Sequence, residues 1–221
     1  DLNPDAGTAT AITVGQSDVY IVELDSSGAY QWSKYFGGSS FDHCAAIATD
    51  PSGNLFLTGY FTGTCDFEPG GGSTNLTAAS TDIFVGQYDA SGNLTWVKQM
   101  GGSGSDGGTS IAVDFTGNVH TTGYFDGTAD FDPGSGTTLF TAGTGISDAF
   151  VSKLSSTGTF VWAAQFGGTS VDAGHSIALD LSGNVYTIGR FSLTADFNPG
   201  AGTNSLTSAG TYDIYVAKLT S

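Results

Sequence analysis

Four short motifs of the form D-[FL]-[NED]-P place two oxygen-bearing side chains two residues apart. The side chains are Asp1 with Asn3, Asp66 with Glu68, Asp130 with Asp132, and Asp196 with Asn198. Oxygens at this spacing in a glycine-rich loop suit Ca²⁺, which takes about six to eight oxygen ligands. A turn explains the motif as well, because Pro-Gly favours a type II turn and Asp or Asn accepts hydrogen bonds from backbone amides. The variable third residue favours the turn, and a calcium loop is the alternative.

Two further columns of aspartates recur along the chain. Asp42, Asp106 and Asp172 follow the Gly-Gly pairs, and on one shared face they could bind cations or hydroxylated ligands. Asp in a Ser/Gly-rich loop more often accepts hydrogen bonds from nearby amides, so we favour capping and keep ligand contact as the alternative. The other column precedes apolar strands and is interpreted as structural: Asp18, Asp82, Asp148 and Asp213.

Some aromatic side chains recur at equivalent positions of the repeated segments. Tyr60 and Tyr124 occupy equivalent positions in two copies of a Gly-Tyr-Phe pattern, and Arg190 replaces the tyrosine in a third copy. We expect the two rings to pack between strands; if exposed, they would form a surface for glycans. Arg190 breaks the symmetry and is a candidate ligand contact.

The two cysteines, Cys44 and Cys65, belong to the same sequence copy, and small residues stand at the equivalent positions elsewhere. Their joint appearance predicts a disulfide, which would suit an oxidising compartment. Counting along the strands leaves them about four residues out of register. Loop curvature must therefore bring them together, and two free buried thiols are the alternative.

No pattern of residues typical of an enzyme is found in the sequence. His43, His120 and His175 occupy non-equivalent columns, so they cannot form a repeated metal site. A nucleophile elbow, a phosphate-binding loop and a Cys-x-x-Cys motif are all absent from the sequence. We therefore expect a protein that is not an enzyme and requires no cofactor, with calcium as the one candidate ion.

The composition excludes several classes of protein. Five Lys and Arg against 21 Asp and Glu give a net charge of −16, which disfavours nucleic acids and anionic membrane surfaces. Hydrophobic residues make up 39% of the chain, which is enough for a packed core. No apolar run reaches the length of a membrane span, and no signal peptide is recognisable. Since the chain does not begin with Met, we expect a processed product or a piece of a longer chain.

Internal repetition is the main feature of the sequence. The three tryptophans are spaced by 64 and 66 residues, and we expect them to pack between repeats: Trp32, Trp96 and Trp162. Each copy contains four segments of period-2 alternation separated by glycine-containing turns, which predicts antiparallel strands. In the second copy these segments are 83–88, 94–99, 110–115 and 118–125.

The predicted fold is all-β, with propeller-type repeats of about 65 residues and four antiparallel strands per blade. One domain spans residues 1–221, with units at 1–65, 66–129, 130–195 and a partial unit at 196–221. About three and a half repeats are too few for a closed ring, so we expect a partial propeller or one completed by other chain segments. A linear array of ribbons is the alternative.

The segments DIFVGQYDASGNLTW and GGSGSDGGTSIAVDFTGNVHTTGYF, with their copies, resemble the bacterial SBBP repeat, a family named for a seven-bladed β-propeller. The resemblance covers nearly the whole chain. It implies a secreted or cell-surface protein of a family without a shared catalytic motif.

The sequence thus predicts a non-enzymatic extracellular module for cell-surface architecture, adhesion or assembly. Its expected partners are other proteins or further copies of itself, with neither nucleic acid binding nor membrane insertion. A glycan-binding propeller is the alternative, and a propeller hydrolase or lyase is a remote one.

Overall fold

The computed structural model describes residues 1–3, 7–142 and 146–220. Pro4, which ends the first acidic motif, lies outside them. The described residues form β-strands and turns, as the alternating apolar pattern predicts, and the expected all-β fold is confirmed. No helix in these ranges is long and apolar enough to cross a membrane. The strands in chain order are β1 Val19–Leu24, β2 Tyr30–Gly38, β3 Asp42–Thr49, β4 Leu55–Asp66, β5 Asn75–Tyr88, β6 Leu94–Gly102, β7 Gly107–Val113, β8 Val119–Asp126, β9 Thr128–Asp130, β10 Leu139–Thr141, β11 Ser147–Leu154, β12 Phe160–Gly168, β13 Ala173–Leu179, β14 Val185–Phe191, β15 Thr194–Asp196, β16 Ser205–Thr207 and β17 Asp213–Leu219.

The long strands form successive antiparallel sheets, which we number 1 to 4. Sheet 1 consists of β1 and β2, and sheet 2 of β3, β4, β5 and β6. Sheet 3 consists of β7, β8, β11 and β12, and sheet 4 of β13, β14 and β17. The sheets are open and do not close into a ring. Short ladders at the sheet ends join each sheet to the next, for example where Gly101 and Gly102 pair with β9.

The expectation that residues 83–88, 94–99, 110–115 and 118–125 share one sheet is wrong. The first two segments complete sheet 2, whereas the last two begin sheet 3, in which β8 pairs with β11 of the following copy. The physical reason lies in the segment between β8 and β11. It folds into the separate hairpin of β9 and β10, which allows β11 to return beside β8. The sheets are therefore offset by half a copy from the sequence units.

The two ends of every sheet differ in their connections. Tight turns of the type Asp-x-x-Gly-Asn join β3 to β4, β7 to β8 and β13 to β14 at one end, which we call the hairpin end. In the turn at Asp114, Gly117 has a φ of 83°, a conformation that favours glycine. At the opposite end, the loop end, lie the Gly-Gly pairs and the acidic motifs.

The hydrophobic core lies between consecutive sheets, not within any one of them. Each of the three buried clusters combines side chains of neighbouring sheets: sheets 1 and 2, sheets 2 and 3, and sheets 3 and 4. Trp96 illustrates the arrangement, since its indole N–H on sheet 2 donates to the carbonyl of Ser156 in a turn of sheet 3, at 3.1 Å. The expected packing of Trp32 and Trp96 between repeats is confirmed, because Trp32 likewise lies against Gly92 of sheet 2.

The first strands of consecutive sheets contact each other, β3 with β7 and β7 with β13, and small residues allow this close approach. A side chain at Gly174 on β13 would overlap the hydroxyl of Thr122 on β8, which donates to the Phe150 carbonyl at 2.7 Å. Gly108 on β7 faces Thr58 on β4 in the same way. The spacing between sheets 2, 3 and 4 therefore depends on a repeated threonine–glycine contact.

Gly174→Ala is expected to lower the free energy of unfolding by about 1–3 kcal/mol, because the added methyl forces sheets 3 and 4 apart. Combining it with Thr122→Ala should recover part of this loss. Chemical denaturation measures both effects. The control is Gly210→Ala, because no atom lies within 4 Å of the position of the new methyl. Equal stability of the Gly174 and Gly210 variants would show that the contact does not set the spacing.

Candidate functional site

The acidic motifs form turns stabilised by their first aspartate. Asp130 Oδ1 accepts hydrogen bonds from the amides of Asp132 and Thr138, at 3.0 and 2.8 Å. The same two bonds recur at Asp1, Asp66 and Asp196. Among the second positions, Asp132 and Asn198 each accept a bond from the amide two residues later. This geometry agrees with the turn interpretation, and calcium binding at Asp1, Asn3, Asp66, Glu68, Asp130, Asp132, Asp196 and Asn198 stays a prediction.

Metal ligands of the usual kinds are not clustered in the described ranges. No group of three or more His, Cys, Asp or Glu side chains there is arranged to hold a metal ion. The turns therefore bring together fewer carboxylates than a dedicated calcium loop does.

Asp42, Asp106 and Asp172 lie at the loop end and are buried, so they do not form an exposed ring of charge. Asp106 accepts hydrogen bonds from the amide of Gly102 at Oδ2, at 2.8 Å, and from that of Asp126 at Oδ1, at 3.0 Å. Asp172 makes the equivalent bonds to Gly168 and Ser192. Each of these two carboxylates thus binds an amide at the end of the preceding sheet and an amide at the end of the second strand of its own sheet.

A second carboxylate lies beside each of these aspartates. Asp82 on β5 belongs to sheet 2, and Asp106 precedes β7 of sheet 3, so the pair spans the junction between the sheets. Asp82 Oδ2 accepts a hydrogen bond from the Gln99 side chain, but Oδ1 has no partner, although Asp82 is only 3% exposed. Asp148 makes the equivalent bond to Gln165 and also leaves Oδ1 unpartnered at 3% exposure.

These junction pairs were not recognised as pairs in the sequence, where the column of Asp82 is interpreted as structural. A signal was available: Asp18 and Asp42, Asp82 and Asp106, and Asp148 and Asp172 are each separated by the same 24 positions. Sequence spacing alone does not show that residues this far apart converge, because the contact crosses from one sheet to another.

The carboxyl groups at the junctions have an altered affinity for protons. Burial raises the pKa of Asp148 and of Asp172 to about 6, and in Asp172 the neighbouring Asp148 carboxylate adds to the effect. Burial likewise raises the pKa of Asp106 to about 6, with Asp82 contributing. By contrast, hydrogen bonds from Thr116 and Asn118 outweigh the burial of Asp114 at the hairpin end, and the pKa of that carboxyl falls far below its usual value.

The repeat is also identified by comparison with known proteins. A model of the β-propeller repeat named SBBP matches residues 31–63, 95–132 and 161–190. The chain carries SBBP β-propeller repeats. The four sheets are therefore blades. Each of the three matches begins in the last strand of one blade; two of them end in the second strand of the next blade, and the match over 95–132 continues past that strand into the acidic turn after β9.

Two curated relatives are similar over parts of their length. An uncharacterized WD repeat-containing protein of Acanthamoeba polyphaga mimivirus is 24% identical over 220 residues, which is 88% of this chain and 16% of the relative. The regulatory protein FlaEY of Caulobacter vibrioides is 26% identical over 127 residues, 55% of this chain and 13% of the relative. The chain thus spans about a sixth or less of either protein.

The ligand-contact candidates Tyr60, Tyr124 and Arg190 lie in the second strands of consecutive SBBP blades, near the loop end. Tyr60 stacks on His43, with ring centroids 5.1 Å apart. Burial raises the pKa of Tyr124, and the neighbouring Tyr60 adds to the effect. Arg190 is exposed and lies over the ring of Tyr212, 4.8 Å from its centroid. Tyr60 and Tyr124 are half-buried, which agrees with packing, and ligand contact by these rings stays a prediction.

The predicted disulfide is not formed, and both cysteines are free thiols. Cys44 on β3 lies opposite Gly59 of β4, whereas Cys65 lies six positions further along β4 and pairs with Gly38 and Leu76. Along a regular strand six positions correspond to roughly 20 Å, far beyond the reach of a disulfide. The bend of the chain at the loop end does not bring the two thiols together.

His120 is the one histidine buried among the described residues, and it packs edge-on against Trp162. Burial, with a contribution from the charge of Lys153, lowers its pKa to about 4, so the ring is neutral at pH 7. Its Nε2 lies 3.7 Å from Asp114 Oδ2, and neither ring nitrogen has a hydrogen-bond partner. Since the other two blades carry Phe56 and Tyr186 at this position, the packing of a ring explains the site.

The SBBP chain is expected to become more stable as the pH falls from 8 to 5 in metal-free buffer. A folded-state pKa of about 6 for Asp148 exceeds its ordinary value of 3.8, so the folded protein binds a proton first and gains stability on acidification. Asp148→Asn should raise the free energy of unfolding at pH 8 by about 1–2 kcal/mol and flatten this dependence. Thermal melts across the pH range measure it.

Asp132→Asn is the matched control, because Asn198 stands at the equivalent position of the next copy and makes the same bond. It should leave the pH dependence unchanged. A wild-type melting temperature that falls between pH 8 and pH 5 would contradict the assignment.

A reducing agent is expected to leave the melting temperature unchanged, because Cys44 and Cys65 are not joined by a disulfide. Burial raises the pKa of Cys44 to about 11 and that of Cys65 further, so neither thiol forms the reactive thiolate at pH 8. A thiol reagent should therefore modify both cysteines in denaturant and neither quickly in the folded chain. A loss of stability on reduction would contradict the free thiols and indicate a disulfide between Cys44 and Cys65.

Proposed function

We propose that this chain is a non-enzymatic extracellular propeller module that binds other proteins, foremost further propeller repeats, in cell-surface architecture, adhesion or assembly. The observation that carries the proposal is a row of exposed apolar side chains on blade 4. Ile214 and Val216 of β17 are 84% and 72% exposed. Their counterparts in blade 2, Ile83 and Val85, are fully buried against blade 3.

The opposite end of the blade series has a partly apolar groove. A groove of about 490 Å³ lies between β1 and β3, and its lining includes Tyr20, Val22, Cys44 and Ile47. Tyr20 is exposed, whereas the equivalent Phe84 and Phe150 are buried. An apolar ridge at one end and an apolar groove at the other support end-to-end contact with another SBBP repeat, whether it belongs to the same chain or to another.

The extracellular location is supported by the resemblance to the SBBP family and by the scarcity of basic residues. The name of the viral relative, a WD repeat-containing protein, also agrees with a repeat module. The sequence carries neither a nucleophile elbow nor a repeated histidine column, which supports a binding role over the hydrolase or lyase alternative.

Sedimentation velocity tests the proposed contact. The wild-type chain is expected to self-associate with rising concentration, and the double variant Ile214→Lys/Val216→Lys to weaken association by about tenfold or more, because two charges would be buried. Leu181→Lys is the control, since Leu181 is equally apolar and 99% exposed at a turn of the hairpin end. A chain that stays monomeric, or a control that weakens association equally, would contradict the role of this surface.

The location has its own test. Antibodies against the chain should label intact cells of the source organism as strongly as permeabilised ones. Labelling only after permeabilisation would contradict an extracellular module and leave the apolar contact unaffected.

Glycan binding is the second candidate, favoured by the half-buried rings of Tyr60 and Tyr124 at equivalent positions in the second strands of adjacent blades. Paired half-buried rings offer faces on which a sugar can stack. A glycan array should then show signals that Tyr60→Ala and Tyr124→Ala abolish and Tyr20→Ala leaves unchanged. An array without signal would remove this candidate.

A further inference from the structure

Three junctions between consecutive blades hold a pair of carboxylates with no compensating positive charge between them. The pairs are Asp18 with Asp42, Asp82 with Asp106, and Asp148 with Asp172. In every pair the first aspartate lies on or just before a strand of one blade, which is β1, β5 or β11. The second aspartate lies at the start of the next blade, at β3, β7 or β13. Each pair therefore lies where two blades meet at the loop end.

The oxygens of Asp82 and Asp106 converge on one place. A methyl group built at Gly101 would lie 2.7 Å from Asp82 Oδ1 and 2.8 Å from Asp106 Oδ2. Gly101 has a φ of 147°, so its conformation favours glycine and leaves this space to the two carboxylates. At the next junction Gly167 approaches the Asp148 carboxylate in the same manner.

Hydrogen bonds within the protein do not account for all of these oxygens. Asp42 Oδ1, Asp82 Oδ1 and Asp148 Oδ1 are buried and without partners, on side chains that are at most 3% exposed. Leaving an ionised carboxylate buried and unpaired costs free energy, and a second carboxylate beside it adds repulsion. Aspartates in the turns differ, because amides and side chains of the same turn bind their oxygens.

The charge distribution of the chain favours cations at this end. Of the 21 acidic residues, six lie at the hairpin end, Asp5 lies outside the described residues, and the remaining 14 lie at the loop end. The lysines reach the hairpin end, where Lys34 touches Gly92, Lys98 touches Gly158, and Lys153 lies 3.8 Å from Asp114 Oδ2. Such a separation concentrates small cations around the loop end.

We propose that each of the three junctions binds a divalent, oxygen-preferring cation of the calcium class between its two aspartates, so that the cation joins one blade to the next. A charge of +2 balances the two carboxylates, and the unpartnered oxygen becomes a ligand. Two carboxylates are fewer than a tight site uses, so backbone carbonyls and water complete the coordination. The dissociation constant is accordingly on the order of 10⁻⁴ to 10⁻³ M.

These sites are separate from the acidic turns considered in the sequence analysis. In the turns, Asp66, Asp130 and Asp196 use Oδ1 to bind two amides each, and no buried oxygen there lacks a partner. The two locations can be told apart by single substitutions, because they share no residue.

Calorimetric titration of the full chain with Ca²⁺ at pH 7.5, after dialysis against a chelator, tests the proposal. The wild type should bind three ions, and Asp82→Asn and Asp148→Asn should each lose one of them. Asp132→Asn, in an acidic turn, and Asp89→Asn, in a hairpin turn, should keep all three. Circular dichroism confirms that each variant retains its β structure.

A measurement on the wild type alone keeps the test independent of the variants. Millimolar Ca²⁺ should raise the melting temperature at pH 7.5, and the chelator should reverse the change. Loss of binding in Asp132→Asn but not in Asp82→Asn would move calcium to the turns and overturn the proposal. Absence of any Ca²⁺ effect, with stability that depends on pH alone, would also overturn it and assign the pairs a shared proton.

Discussion

Burial of each blade's face against the next is the constraint on which the rest of the structure depends. A single sheet forms no core by itself, and each of the three buried clusters combines side chains of two consecutive blades. Threonine hydroxyls that face glycines allow the first two strands of consecutive blades to approach closely. A tryptophan from each of the first two blades contacts a turn of the next blade. On blade 4, Ile214 exposes an apolar side chain that its equivalent in blade 2, Ile83, buries against the next blade.

The same close packing divides the aspartates into two physical classes. Turn aspartates such as Asp114 accept several short-range hydrogen bonds, which outweigh their partial burial and stabilise their charge where it stands. Junction aspartates such as Asp148 are taken out of water by the neighbouring blade, and their protein partners do not replace all of the lost hydration. The carboxylates behind the net charge of −16 are thus of two kinds, those fully hydrogen-bonded in turns and those incompletely hydrogen-bonded between blades.

Much of the fold could be predicted from the sequence, because the signals are local. Strands followed from period-2 alternation, and turns from Asp-x-x-Gly-Asn, in which Gly117 takes a positive φ. The packing of Trp96 followed from its repeated position. The disulfide between Cys44 and Cys65 was predicted wrongly, because the register of β3 on β4 places Cys44 opposite Gly59 and not near residue 65. The prediction of which four strands form one blade was also wrong, because a repeating sequence does not show where one blade ends and the next begins.

The sequence by itself determined the repeat length, the all-β class, the positions of the turns and the acidic character of the chain. Each of these depends on neighbours within a few residues or on composition, so no knowledge of distant contacts is needed. Only the tertiary structure decided that β8 pairs with β11, that Asp82 meets Asp106 across a blade junction, and that the two thiols stay apart. These outcomes depend on how one blade packs against the next, and that packing joins residues tens of positions apart.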